Sequence, residues 1–212
     1  MEIYQSEEQQ VEAIKKFFKE NGYSLGAGLV IGLGGFFGYN YYQDSKQAAI
    51  ESASSQYQQN IEAMTNDGET FRTNSQSFIN ENKDSSYAAF TALALAKDAA
   101  SHSDWQEAEK QLTMAIELAP SVEVKAIAQL RLARVQIQQE NLDDALATLG
   151  KTFPEKYQAS VAETKGDAYL LKGDKEQARS AYQAAADAGG LESSPQLQMK
   201  LDDLAVAVNL AG

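Results

Sequence analysis

Hydrophobic positions along this chain keep three rhythms in turn. Within residues 1–22, Val11, Ile14 and Phe18 recur at i, i+3 and i+7 with Phe17 beside them, the spacing of one helix face. Across residues 23–42, YSLGAGLVIGLGGFFGYNYY, the polar positions stop: 20 residues carry no formal charge, between Glu20 and Asp44. At about 1.5 Å per residue, a helix of that length matches the roughly 30 Å of a bilayer's hydrocarbon core. Tyr23 at one end and Tyr39, Tyr41 and Tyr42 at the other stand where an interfacial aromatic belt belongs. From residue 43 the helical period returns and holds to the end, with no convincing alternating strand pattern. The predicted fold is all-α: a short cytoplasmic tail (1–22), a single N-terminal transmembrane helix (23–42) and one helical domain (43–212).

Half of the chain's glycines, 7 of 14, fall between Gly22 and Gly38. In water such a density argues against a helix; in lipid glycine is tolerated where another helix packs closely. Turning about 100° per residue, Gly28, Gly32, Gly34, Gly35 and Gly38 collect on one side, interrupted by Ile31, and Leu25, Leu29, Leu33, Phe36 and Phe37 on the other. Membrane helices are richer in glycine in general, which is the plain explanation; the sharper one is a docking face for a second membrane helix. A nucleotide-binding loop is excluded, because Phe37 stands where the third glycine after Gly32 and Gly34 would have to be.

Beyond the span, three segments align on a recurring alanine: residues 104–112 (DWQEAEKQL), 141–149 (NLDDALATL) and 174–182 (DKEQARSAY). Ala108, Ala145 and Ala178 are 37 and 33 residues apart. Each segment follows a polar turn (HSD, QEN, KGD) and, before it, an apolar-periodic stretch near 87–100, 124–140 or 159–172. This is the helix–turn–helix grammar of tetratricopeptide repeats, with a period of about 34 residues. The small position of the first helix is Ala96, Ala133 and Gly166, followed by a tyrosine only at Tyr169; the large position of the second is Leu112, Leu149 and Tyr182; the late small position is Ala115, Thr152 and Ala185. Pro120 falls at the terminal proline position of the first repeat. Repeats are expected near 87–120, 124–157 and 159–190. Upstream, 48–64 and 69–82 read as another helical pair split by the turn at 65–68. Residues 195–210, with Leu197, Leu201, Leu204 and Val208 inward, read as the capping helix such an array needs.

Charge adds orientation and excludes partners. Lys15, Lys16 and Lys19 lie just before the span and only Lys46 soon after it, which keeps the N-terminus cytoplasmic. A cleaved signal peptide is disfavoured by five acids in its n-region, an over-long apolar core and the lack of a small-x-small site. A net charge of −12 argues against nucleic acid, and the absence of cysteine removes disulfides and thiol-based metal sites. No metal-hydrolase, α/β-hydrolase or calcium-loop spacing occurs. His102, the single histidine, reads as a turn residue; Asp143 and Asp144 suit a helix N-terminus; Trp105 reads as packing. No catalytic residue, metal site or cofactor is expected, and the protein is read as not an enzyme.

A binding surface is the better search. By repeat position, Phe90, Leu93, Lys97, Leu130, Arg134, Ile137, Glu163, Asp167 and Leu170 point to a concave face, an apolar groove with a basic and an acidic half suited to a polypeptide. The competing reading places some of them in the core or in bare solvent.

Together the opening MEIYQSEEQQVEAIKKFFKENG, the glycine-rich anchor, LRLARVQIQ (130–138), KGDKEQARSAY (172–182) and QMKLDDL (198–204) resemble the ancillary SecYEG translocon subunits, the YfgM family of Gram-negative inner membranes. The resemblance covers essentially the whole chain. It implies a single-pass inner-membrane protein, N-terminus cytoplasmic and repeat domain periplasmic. It further implies association with SecYEG and with the membrane-anchored periplasmic chaperone PpiD, assistance to client polypeptides leaving the channel, and a contact of the tail with the Rcs response regulator. The function expected is that of a non-enzymatic adaptor or chaperone cofactor in protein transport; the alternative is a free-standing periplasmic scaffold for envelope assembly without Sec contact.

Overall fold

Three junctions built alike set the architecture of the repeat domain. In each, a helix ends on a residue held at positive φ, Ser103 (59°), Glu140 (61°) or Gly173 (81°), the middle residue of the HSD, QEN and KGD turns. The next residue's N–H reaches back to a carbonyl five positions earlier: Asp104 to Ala99, Asn141 to Gln136, Asp174 to Tyr169. The positive-φ residue itself donates to Ala100, Ile137 or Leu170. This double bond closes the exposed carbonyls of a helix end and turns the chain back on itself. Asp104 and Asp174 then cap the following helix, accepting from the N–H of Glu107 and Gln177.

The computed structural model describes residues 7–66 and 68–209. In chain order the α-helices are α1 (Glu7–Asn66), α2 (Gly68–Glu81), α3 (Ser86–Ser101), α4 (Trp105–Glu117), α5 (Val122–Gln138), α6 (Leu142–Leu149), α7 (Gln158–Leu171), α8 (Lys175–Asp187), α9 (Gly190–Ser193) and α10 (Pro195–Asn209), with a 3-10 turn at Glu155–Tyr157 before α7. The chain divides into two units, Met1–Ser52 and Ala53–Gly212.

In the first unit the expected leader helix and span lie on one element: α1 passes through Gly22 and Tyr42 without a break. Val11, Ile14, Phe17, Phe18, Leu25, Leu29, Leu33, Phe36 and Phe37 are all exposed on it. Among the described residues no helix is long and apolar enough to cross a membrane. The physical reason lies in the composition of 23–42, where glycine, tyrosine and Asn40 dilute the leucines, phenylalanines, Val30 and Ile31 and lower the mean hydropathy. The opening residues 1–6 of the expected tail lie outside the described residues.

The second unit is an all-α tetratricopeptide-like solenoid in which helices pack in chain order, α2 on α3, α3 on α4 and so on to α7 on α8. Successive first helices α5 and α7 also touch, and α10 covers α8. The end of α1 and α2 form the upstream pair, Ile61, Ala63 and Met64 packing around Phe71, Ile79, Ala92 and Leu95; Asp67 in their turn lies outside the described residues. The recurring alanines Ala108, Ala145 and Ala178 are completely buried, as are Ala133, Ala115 and Ala185, so helices approach closely where side chains are smallest. Leu112, Leu149 and Tyr182 fill the grooves between them and are buried too; each such side chain stabilises the fold by about 1.5–3 kcal/mol. Gly166 belongs to the same scheme, because a Cβ there would sit 2.3 Å from the Tyr182 ring.

Thr152 departs from its expected place. α6 ends at Leu149, with the Gly150 N–H closing onto Leu146 and Ala147, so Thr152 lies exposed beyond the helix. Phe153 turns in instead, against Leu130, Ala133, Leu149 and Val161, and Pro154 precedes the 3-10 turn. At the far end, Leu197 and Leu204 are buried against Tyr182 and Ala185, with Leu201 packed on them. Leu210 and the side chain of Val208 lie outside the described residues.

Candidate partner-binding groove

The groove follows from helical spacing on two helices. On α3, Leu93, Ala96, Lys97 and Ala100 stand at i, i+3, i+4 and i+7; on α5, Arg131, Arg134, Val135 and Gln138 do the same. Each set is one helix face. With Trp105 and Leu112 from α4, Ile137 from α5 and Asp167 from α7 they enclose about 480 Å³. Ala96 and Ala100 leave the room, since larger side chains there would fill it. Leu93, Leu112, Val135 and Ile137 make the floor apolar, and Trp105 lies half-buried, packed against the core cluster of Ala96, Ala99, Ala108, Leu112, Leu132 and Val135 and also lining the groove.

Five of the nine residues expected on the concave face line this groove: Leu93, Lys97, Arg134, Ile137 and Asp167. The other four stand elsewhere. Phe90 joins an aromatic cluster with Tyr57 and Tyr87, ring centroids 6.5 and 6.3 Å away. Leu130 is core, packed with Ala133, Leu149 and Val161. Leu170 is exposed on α7. Glu163 turns towards the cap.

The acidic side of the groove is engaged from within the chain. Lys200 on α10 donates to Asp167 Oδ1 at 2.7 Å and to Glu163 Oε1 at 2.9 Å. The Tyr182 hydroxyl donates to Asp167 at 2.8 Å and Ser194 to Glu163 at 3.0 Å. Burial alone would push the Lys200 ammonium down, but its bonds to Asp167 and Glu163 outweigh that and hold it above the ordinary lysine value. Burial, and then the bond to Asp167, push the Tyr182 phenol well above the usual tyrosine range. Lys97, Arg131 and Arg134, by contrast, have no ion-pair or hydrogen-bond partner among the described residues, and all three are exposed.

Arg131, Trp105 and Lys200 were not expected at the site. Arg131 was within reach of the pattern, three residues before Arg134 on the same helix face. Trp105 opens α4 and packs against the core, and it also lines the groove. Lys200 had no local signal, being 37 residues from Glu163. His102 ends α3, its Nδ1 2.8 Å from the Asp98 carbonyl oxygen. Asp98, buried, pairs with Arg72 of α2 at 2.7 Å, and that hydrogen bond raises the Arg72 pKa further.

The glycines expected to dock a membrane helix, Gly28, Gly32, Gly34, Gly35 and Gly38, lie within α1, and a Cβ on any of them would meet nothing within 4 Å. Among the described residues of the first unit, no packing contact requires their small size.

Residues 15–206 match the family described as a tetratricopeptide repeat-like domain. The chain is similar to the ancillary SecYEG translocon subunit of Escherichia coli, 36% identical over 207 residues, 97% of this chain and 100% of that one. It is also similar to the proteins of the same name from Haemophilus influenzae, 33% identical over 93% of this chain and 97% of the relative, and Neisseria gonorrhoeae, 29% identical over 96% and 100%.

Proposed function

The chain belongs to the tetratricopeptide repeat-like family of ancillary SecYEG translocon subunits, and from that membership we propose that it is a non-enzymatic inner-membrane adaptor held beside the Sec channel. The likeness over nearly the full length of both chains carries this reading: anchor region and repeats are matched together, so the combination of the two is the inherited unit.

In this reading residues 23–42 of α1 cross the membrane once, the N-terminus stays in the cytoplasm with Lys15, Lys16 and Lys19, and the repeats are periplasmic. The absence of charge over 20 residues and the exposure of the apolar side chains on this part of α1 support it. The modest mean hydropathy fits a helix whose glycine side packs on another helix rather than on lipid. Gly28, Gly32, Gly34, Gly35 and Gly38 are that side. Beyond the membrane the groove of α3, α5 and α7 receives a polypeptide partner, the membrane-anchored chaperone or a client leaving the channel. Tethering raises the effective concentration of the repeats at the exit site, typically to the millimolar range for short linkers, so that weak contacts suffice.

The test is purification of the full chain from native membranes in mild detergent. The channel should co-purify with it. Envelope-assembly enzymes in place of the channel would replace this reading by a free-standing scaffold.

A further inference from the structure

The groove of α3, α5 and α7 is a cationic spot on an acidic molecule. The chain carries −12 overall, yet the charged side chains lining the groove are Lys97, Arg131, Arg134 and Asp167. Of these only Asp167 has partners, pairing with Lys200 at 2.7 Å, a cation it shares with Glu163, and accepting from the Tyr182 hydroxyl at 2.8 Å. The three cations keep their full demand for a counter-charge. Between them lies an apolar floor, Leu93, Leu112, Val135 and Ile137, beside Trp105. We infer that the groove takes an acidic polypeptide segment carrying a large apolar side chain, the carboxylates paired with Arg131, Arg134 and Lys97 and the apolar group seated on the floor beside Trp105.

The inference rests on the groove being the partner-binding face and adds what that partner must look like. Guanidinium groups three residues apart on one helix face can each grip a carboxylate through two parallel hydrogen bonds, which a single lysine cannot reproduce. A basic segment meets three unpaired cations, and like-charge juxtaposition disfavours it. Nucleic acid is disfavoured for a different reason: the chain carries −12 overall, and that net charge opposes a long polyanion. A short acidic segment is not so opposed. Lys200 contributes to this selectivity, because without it Asp167 would lose its cationic partner.

Trp105 is the only tryptophan of the chain, so its emission reports the groove directly in the full protein in detergent. Three peptides are titrated: a Glu/Asp-rich peptide with a central leucine, its lysine-for-acid counterpart, and the acidic peptide with serine for leucine. The acidic leucine peptide should shift the emission saturably, with each of the others at least about tenfold weaker. Arg131→Glu/Arg134→Glu, both exposed positions, should lose about tenfold or more and come to favour the basic peptide. Lys151→Glu/Lys165→Glu, on a separate groove of α7 and α8, should change little. Lys200→Met should weaken the acidic peptide severalfold. Equal affinity for acidic and basic peptides, or unchanged selectivity in the double-arginine variant, would overturn the inference. The titration contains no channel, so selective acidic binding without channel co-purification leaves this inference standing and removes the translocon reading; the converse removes this one alone.

Discussion

A Cβ on Gly166 would lie 2.3 Å from the ring of Tyr182, whose side chain has no exposed surface in which to retreat. Gly166→Ala therefore forces α7 and α8 apart, and overpacking of this kind costs about 1–3 kcal/mol. Denaturant titration should show a midpoint lowered accordingly; an unchanged midpoint would mean that Tyr182 can leave its pocket freely. This residue was legible in the sequence because the repeat puts small residues at fixed offsets, and Gly166 stands at one of them opposite an unusually large partner. Ala108, Ala145 and Ala178 were legible for the same reason. Lys200 was not, since an ion pair between α10 and α7 depends on how two distant helices meet, which no local period records. Glu163 and Asp167 could be placed on α7 from sequence, but that they are held by the cap could not.

At the scale of the element, the three turns share one geometry despite sharing no middle residue. Gly173 occupies the left-handed conformation without strain, whereas Ser103 and Glu140 occupy it against the repulsion between Cβ and the following carbonyl, about 1–2 kcal/mol. Glu140 is exposed. Glu140→Gly should relieve that strain and, after the greater entropy loss of glycine on folding, raise stability by up to about 1 kcal/mol. A higher melting temperature checks it, and a lower one would mean that the Glu140 side chain has a stabilising contact outweighing the strain. The polar turns were readable as turns; their shared backbone hydrogen bonding was not, because serine, glutamate and glycine give no common signal. The second repeat shows the opposite failure. The period required a small residue at Thr152, but α6 had already ended at Leu149 and Phe153 took the interior place. A degenerate repeat can lose a turn of helix without losing the alanine that aligns it. In α1 the boundaries expected at residues 22 and 42 mark changes of composition, and a helix can pass through such changes unbroken.

For the whole molecule, the proposal joins two surfaces on one chain: a glycine face on α1 where an added Cβ would meet no described atom within 4 Å, and a groove whose cations have no partner among the described residues. The solenoid and the alanine-centred repeats were readable because both rest on periodicity. The groove's charge balance was not, because it depends on which acids the cap engages. Site-specific photocrosslinking in native membranes tests the central claim most directly, with a probe at Gly32 on the glycine side of α1, another at Leu29 on the opposite side and a third at Arg134 in the groove. The account predicts channel or chaperone adducts from Gly32 and Arg134 and none from Leu29. Equal adducts from Gly32 and Leu29 would make the anchor a passive tether, and no adduct to either partner from any of the three positions would contradict the translocon reading itself.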